Sequence, residues 1–383
     1  MNKSSRKTKF HVLGVYLGSE GYPNVRYRIR DFKKVAWLDV TETNVPMWED
    51  DAHSKRTKCG LMFGLFRAVY AHAAVVAKYL LHGRSAQVYV PYPSIFIGFF
   101  LGVLPRVFRP KKIVLDAFIS LYDTVVNDRR LLSPENWLAI LLKRMEKAAY
   151  SFSDLIIVDT PQNVSYLCKE FCLPEAKVVG IPLSTDEENF QLHLYQPNGE
   201  VCRVLFIGTF VPLHGIAAIL EAVQILRDSR TIQFTIVGDG QTAASIEEMV
   251  DDELVNLIWE RNWKTPSELA HLIHESDICL GIFGGDEKTQ RVCPLKLYAY
   301  AACGRAIISG DTEWSRHARD GLHYEPFETV PVNDGKALAD RIKQLASSPE
   351  YRRQLAQNSR RFYEEQLSNE IALSKLEPFL REI

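Results

Sequence analysis

Short runs of unbroken apolar residues, each followed by a stretch of helical length, recur along this chain and restrict it to a parallel-sheet α/β fold. In the first half these runs are FHVLGVYLG (10–18), AQVYVPYP (86–93), KKIVLDAF (111–118), DLIIVDT (154–160) and KVVGIPL (177–183). Segments such as KIVL and LIIV lack the polar–apolar alternation of a strand wetted on one side, so they read as strands buried on both faces. Helix-length segments between them, notably 60–81 and 134–151, supply the crossovers of βαβ units. The texture breaks at STDEENFQLHLYQPNGE (184–200), a polar stretch with a Pro-Asn-Gly turn signal that reads as a linker. The pattern then restarts with CRVLFIG (202–208), QFTIVGDG (233–240), NLIWE (256–260), DICLGIF (277–283) and RAIISG (305–310). A length of 383 residues suits two cores rather than one. The expected architecture is therefore two Rossmann-like, doubly wound parallel-sheet domains, residues 1–190 and 191–360. A C-terminal helix, 361–383, is expected to pack back toward the first domain.

Charge and cysteine usage narrow the function classes. With 46 basic and 47 acidic residues the net charge is -1, which offers no electrostatic case for nucleic acid as a partner. Seven cysteines, at 59, 168, 172, 202, 279, 293 and 303, form no Cys-x-x-Cys pair and are odd in number. That argues against a disulfide framework or a zinc site and for reduced thiols in the cytoplasm. Cys168 and Cys172 stand one helical turn apart without companion ligands, so no metal and no cofactor are expected. Residues 1–9 are basic and lead directly into the first strand, which is not the pattern of a signal peptide. The apolar stretch 95–108 is too short to span a bilayer. Two readings of it stay open: the buried crossover helix between the strands at 86 and 111, or a surface facing anionic lipid. Arg109, Lys111 and Lys112, which follow it, suit the second reading and a place at the inner face of the cytoplasmic membrane.

Several stretches could carry chemistry. The loop GTFVPLHG (208–215) joins a strand to a helix whose apolar face is Ile216, Ile219, Leu220, Val223 and Leu226. A helix N-terminus at the carboxyl end of a parallel strand attracts anions. Gly208, Thr209, His214 and Gly215 are therefore candidates for holding a phosphate, or else a plain βα turn with an exposed His214. Gly238, Asp239 and Gly240 form a tight turn after the next strand, and paired glycines permit close approach of a ligand. Richest is the run GIFGGDEKTQRVCP (281–294) followed by LKLYAYAACG (295–304). Gly284, Gly285, Lys288 and Arg291 precede a helix with Pro294 near its start and Gly304 at its stop. Lys296 falls in that helix's first turn, where the dipole disfavours a cation unless an anion is near. Together they are what a diphosphate needs, the bland alternative being a solvated charged loop. In the first half, Asp116 ends a strand and faces the ligand side of the sheet, where it could position or deprotonate a hydroxyl. Asp123, and Gly21 in the turn after the first strand, are further candidates there. A capping aspartate is the competing reading for Asp123.

On these residues the second half resembles the nucleotide-binding domain of family-4 glycosyltransferases of the GT-B fold. The loop GTFVPLHG, the turn IVGDGQ and the stretch PLKLYAYAACGRAII appear in the family's order, and IPLSTDEENF resembles its interdomain stretch. The likeness is specific over residues 201–311 and architectural elsewhere. It implies two domains facing a cleft that closes over the donor through a hinge at 184–200. It also implies transfer of a sugar from a nucleoside diphosphate sugar, with retention and without a metal, in polysaccharide biosynthesis or a related path. The donor would lie in the C-terminal domain, with its base near 259–263. Asp116, Asp123 and Gly21 would face a glycan, lipid-linked or small-molecule acceptor. His214 would serve the departing phosphate or the transferring sugar.

The chain also departs from that pattern. Many members carry Arg and Lys in the first loop, where Thr209 and His214 stand, although a subset shares the His-Gly pair. Ala299 takes the place of a glutamate that binds the donor ribose, Arg291 that of its partner glutamate, and Ala306 that of a proline. Losing such a charged ribose contact would cost about 1–3 kcal/mol of binding. An alternative reading follows: a catalytically silent relative acting as a binding or scaffold subunit. A dehydrogenase is excluded, because glycines 18 and 21 lack the dinucleotide-binding spacing.

Overall fold

The computed structural model describes residues 7–16, 23–47, 61–82, 85–197, 199–247 and 256–382. Two compact units emerge: Met1–Ser184 with Ala372–Ile383, and Thr185–Ile371.

In the first unit, β1 (Thr8–Gly14), β2 (Leu38–Asn44), β3 (Gln87–Val90), β4 (Lys112–Phe118), β5 (Leu155–Val158) and β6 (Val178–Gly180) form one sheet. Its order is β2-β1-β3-β4-β5-β6, and the paired strands run parallel. The helices are α1 (Pro23–Lys34), α2 (Leu61–His82), α3 (Ile95–Val103), α4 (Trp137–Phe152) and α5 (Pro161–Phe171). The unbroken apolar runs have a physical cause in the two cores. Val88 and Val90 point into one core with Val75 and Tyr79 of α2, Leu101 of α3, Ala149 of α4 and Phe171 of α5. Tyr89 between them points into the other, with Ile29 and Phe32 of α1 and Leu376 and Leu380 of the last helix.

The second unit repeats the plan. Its strands β7 (Cys202–Ile207), β8 (Ile232–Val237), β9 (Leu257–Glu260), β10 (Ile278–Leu280), β11 (Ala306–Gly310) and β12 (Glu328–Val330) are ordered β12-β11-β10-β7-β8-β9. Around them lie α6 (Ile216–Ile225), α7 (Ala244–Glu247), α8 (Pro266–His274), α9 (Glu287–Arg291), α10 (Leu295–Ala302), α11 (Glu313–Arg319), α12 (Gly335–Ala346) and α13 (Pro349–Phe362). A final helix, α14 (Asn369–Glu382), carries the chain back into the first unit. The two-domain α/β fold expected from the sequence is the fold observed.

Four details sharpen or correct the sequence expectation. The first strand stops at Gly14 rather than 18, and β2 and β12 were not anticipated. Both are edge strands: β2 (LDVTETN) is largely open to solvent, and β12 pairs over only three residues. Pro294, expected near the start of α10, is its N-cap. The 184–200 stretch has little regular structure, yet it is held to the second unit. Arg305, 1% exposed, donates to the main-chain carbonyls of His193, Ile273, His274, Cys303 and Gly304. Tyr195 donates to Asp277 and accepts from Arg352 Nε.

Candidate functional site

In a doubly wound sheet, ligands bind beyond the carboxyl ends of the strands, where the winding reverses. In the second unit that point lies between β7 and β10. The loops after β7, β8 and β10 meet there, and their glycines are what allow it. A Cβ on Gly238 would stand 1.8 Å from the Gly208 carbonyl oxygen, and one on Gly240 would stand 1.9 Å from that of Thr209. A Cβ on Gly215, whose φ is +63°, would approach Phe283 C to 2.4 Å, and one on Gly284 would reach Leu213 O at 2.7 Å. The Phe283 and Gly284 amides donate to the His214 and Leu213 carbonyls at 3.1 Å each. These glycines thus bring chain against chain, a use the sequence expectation of ligand approach did not include. Phe210, with a left-handed φ of 44°, is fully buried in the same loop and stores backbone strain.

At this junction two buried side-chain nitrogens, on His214 and Lys296, have no hydrogen-bond partner. His214, expected either as a phosphate ligand or as an exposed loop residue, is only 7% exposed, so the exposed reading fails. The turn Pro212–His214 and αL Gly215 carry it inward. Its ring lies edge-on to Phe206 with centroids 5.6 Å apart, and Nδ1 has no hydrogen-bond partner. Burial, followed by the charge of Lys296, holds the imidazole well below its ordinary 6.5, so it is neutral near pH 7. Lys296 stands in the first turn of α10. Part of its stem is open to solvent, but Nζ is enclosed, 3.9 Å from the Phe206 ring centroid and without a hydrogen-bond partner. Burial pushes this amine well below 10.5. A buried ammonium lacking a counter-charge costs several kcal/mol, so the group either sheds its proton or receives an anion.

Lys288 and Arg291 sit on α9, which packs beside the Pro212–His214 turn. They are 5% and 8% exposed, so the segment is a buried helix turn and not a solvated charged loop. Asp286 caps it, accepting from the Thr289 amide at 2.7 Å. Gly285 lies against Asn333, whose Nδ2 would be 2.2 Å from an added Cβ. Asp239 is half exposed and pairs with Arg261 at 3.0 Å. Arg261 stacks 4.7 Å over the Trp259 ring, and Trp259 Nε1 donates to Gly238 O at 3.0 Å. Ala299 is 7% exposed on α10. Sequence reasoning missed Phe206, which links His214 to Lys296. A phenylalanine inside a buried strand carries no signal of such a role.

The first unit differs. Asp116, 7% exposed, accepts from Tyr89 OH at 2.6 Å and from the Phe118 amide at 3.1 Å. Burial raises its pKa, while the nearby Arg28 guanidinium and these donors oppose the rise. Asp123 accepts from Asn127 Nδ2 at 2.9 Å and Tyr166 OH at 3.2 Å. Glu146 of α4 was not anticipated. Fully buried, it accepts from Ser120 Oγ, the Leu121 and Tyr122 amides and Tyr150 OH at 2.6–3.0 Å. Gly21 lies outside the described residues. Among the described residues no cluster of three His, Cys, Asp or Glu side chains could hold a metal ion.

The fold defines a two-domain α/β protein of the GT-B type. Residues 202–348 match the family model described as glycosyl transferases group 1. Among solved structures, the chain is similar to sucrose-phosphate synthase from Thermosynechococcus elongatus at 18% identity, covering 98% of this chain and 99% of that one with a TM-score of 0.71. It is also similar to Anabaena HepE in complex with UDP, at 11% identity, 98% and 100% coverage and a TM-score of 0.67. A third is the N-terminal domain of Candida albicans trehalose-6-phosphate phosphatase, at 10% identity, 100% and 98% coverage and a TM-score of 0.70. No curated protein sequence matches the chain.

Proposed function

We propose that this protein is a glycosyltransferase that binds a nucleoside diphosphate sugar in its second unit and passes the sugar to a glycan, lipid-linked or small-molecule acceptor. The observation that carries this reading is the enclosed, unpartnered Lys296 Nζ beside the unpartnered Nδ1 of His214. The match of residues 202–348 to group 1 glycosyl transferases supports it. So do the structures of HepE with UDP and UDP-glucose, which make uridine the first base to test.

In this reading the diphosphate restores the counter-charge that Lys296 lacks. Its ammonium then stays protonated and stabilises the charge that grows on the leaving group. Neutral His214 donates an N–H to the phosphate or to the transferring sugar, with Phe206 holding both groups in place. Lys288 and Arg291 add positive charge from α9, so the departing diphosphate is neutralised without a metal. We assign retention of configuration and a role in glycan assembly at the cytoplasmic face of a membrane to the same reading. Asp116 would serve the acceptor by orientation, because both its oxygens already accept hydrogen bonds.

The silent-subunit alternative draws on Ala299, a small apolar side chain where related enzymes hold the ribose. A thermal-shift screen with UDP, GDP, ADP, CMP, dTDP and their sugar conjugates separates the two. A ligand at a hundredfold excess over Kd stabilises by about 2.7 kcal/mol. A shift with one base supports the donor site, and release of that nucleotide with an acceptor present establishes transfer. A well-folded protein that shifts with none of them favours the silent subunit.

A further inference from the structure

α3 (IFIGFFLGV) contains no polar residue, yet the described residues cover one side of it fully and the other only in part. Ile95, Ile97 and Leu101 face the core, and Gly98 and Gly102 let the helix lie directly on α4. A Cβ on Gly102 would stand 2.0 Å from the Phe152 ring. Phe96, Phe99, Phe100 and Val103 lie on the side left partly or fully open. A helix apolar all round belongs in a core or in contact with lipid.

Its neighbours extend the same surface. His72 of α2 meets Phe96 at 5.7 Å between ring centroids, and Arg109 lies 5.8 Å over Phe152 of α4, so the three helices form one layer. Phe66 and Tyr70 on α2, Val107 in the turn after α3, and Trp137 on α4 are 62–71% exposed. Of the 19 large hydrophobic side chains exposed among the described residues, 13 lie on this layer or on the segment leading into α4. Patches of this kind mark interaction sites.

Charge decides what fits them. Residues 61–115 hold seven Lys or Arg and no Asp or Glu. α4 adds exposed Arg144 and Lys147, and its one acid, Glu146, is buried against four donors. Lys112 and Lys143 are paired with Asp154 and Glu170, and Glu135 is an exposed acid just before α4, so the layer keeps an excess of cations. A second copy of the chain would bring cationic face against cationic face. Anionic lipid satisfies both halves of the pattern: headgroups pair with the cations, and the Trp137, Tyr70, Val107 and Phe108 side chains enter the interface. No helix among the described residues is long and apolar enough to cross a membrane, so the layer would lie on the bilayer and not span it.

We propose that the outer face of α2, α3 and α4 is a docking surface for an anionic bilayer. The proposal deepens the membrane part of the functional reading and is independent of its sugar chemistry. The test is flotation of the full chain with vesicles of phosphatidylcholine alone and of phosphatidylcholine with phosphatidylglycerol in equal parts. Binding is expected only to the anionic vesicles and is expected to weaken with salt. Arg106→Gln and Arg109→Gln, each removing one positive charge, are each expected to lower it about fivefold. Val107→Asp with Phe108→Asp, both at exposed positions, is expected to abolish it with an unchanged melting temperature and an unchanged nucleotide response. Failure of the native chain to float with anionic vesicles overturns the proposal. So does full binding by the Val107→Asp, Phe108→Asp variant. Concentration-dependent dimerisation that these same variants abolish would assign the face to a second copy instead. A chain that floats but shifts with no nucleotide would leave the docking surface standing and remove the donor site.

Discussion

The two sheets share a winding plan, but Asp116, Asp123 and Glu146 of the first unit differ from Lys296 and His214 of the second in how far their polar atoms are satisfied. In the first unit, Asp116, Asp123 and Glu146 each accept at least two hydrogen bonds from the chain. In the second, Lys296 Nζ and His214 Nδ1 are enclosed with none. Satisfied polar groups hold a fold together, whereas an enclosed cation without a partner is a cost that a ligand can remove. Glu146 is therefore a structural group, as is Arg305 of the second unit with its five carbonyl partners, whereas Lys296 and His214 carry the proposed donor site.

Glu146 offers the largest test of that contrast. In Glu146→Gln an NH2 group replaces one acceptor oxygen and meets donors from the 120–122 segment and Tyr150. A loss of about 2–4 kcal/mol is expected in denaturant unfolding, with little change in nucleotide response once the protein is folded. A neutral outcome would remove Glu146 from the structural class.

Lys296→Met works in the opposite direction. Nucleotide affinity is expected to fall about a hundredfold, close to 2.7 kcal/mol. The ligand-free protein is expected to melt higher, because an apolar side chain replaces an enclosed amine. Loss of both stability and binding would mean that the amine has a partner in solution and the site is not poised.

Proton linkage gives a third, smaller effect. Lys296 is held well below 10.5 in the free protein, and a bound diphosphate favours its charged form. Between the depressed value and 10.5, binding must take up a proton, so affinity falls as pH rises. Stability of the free protein runs the other way: over that window the unfolded chain binds more protons, so stability rises with pH. Calorimetry in buffers of different ionisation enthalpy reads the proton uptake directly, and an uptake of zero would contradict the assignment.

The smallest effect belongs to Asp116→Asn, which keeps an acceptor for Tyr89 OH. Stability is expected to change by about 1 kcal/mol or less and nucleotide binding not at all. A large loss of turnover with intact binding would return Asp116 to the acceptor chemistry assigned from the sequence.

What could be read beforehand follows burial. Central strands such as LIIV and KIVL were legible because both of their faces are covered. β2 was not, since an edge strand such as LDVTETN mixes polar and apolar residues without a core to dictate them. Lys296 was legible as a cation in the first turn of a helix, a local contradiction that fits its enclosure without a hydrogen-bond partner. Phe206 and Glu146 were not. A phenylalanine in a buried strand looks like core, and a glutamate in α4 looks like a solvated face until the 120–122 segment folds over it. The roles of Asp116 and Asp123 depended on donors 27 and 43 residues away in sequence, which no local pattern reveals. For the apolar stretch 95–108, the crossover reading is the one the fold bears out, and the lipid-facing reading stands as the docking proposal. α3 is the crossover helix between β3 and β4, with Phe96, Phe99 and Phe100 half-buried and Val103 exposed on its far side.

The most direct test of the central claim is a titration of native protein and the Lys296→Met variant with UDP, followed by the other nucleoside diphosphates, read as melting temperature. The account predicts that one nucleotide raises the melting point of the native protein only, and that the unliganded variant starts higher. Equal shifts in both proteins would contradict it, since the diphosphate would then be held without Lys296.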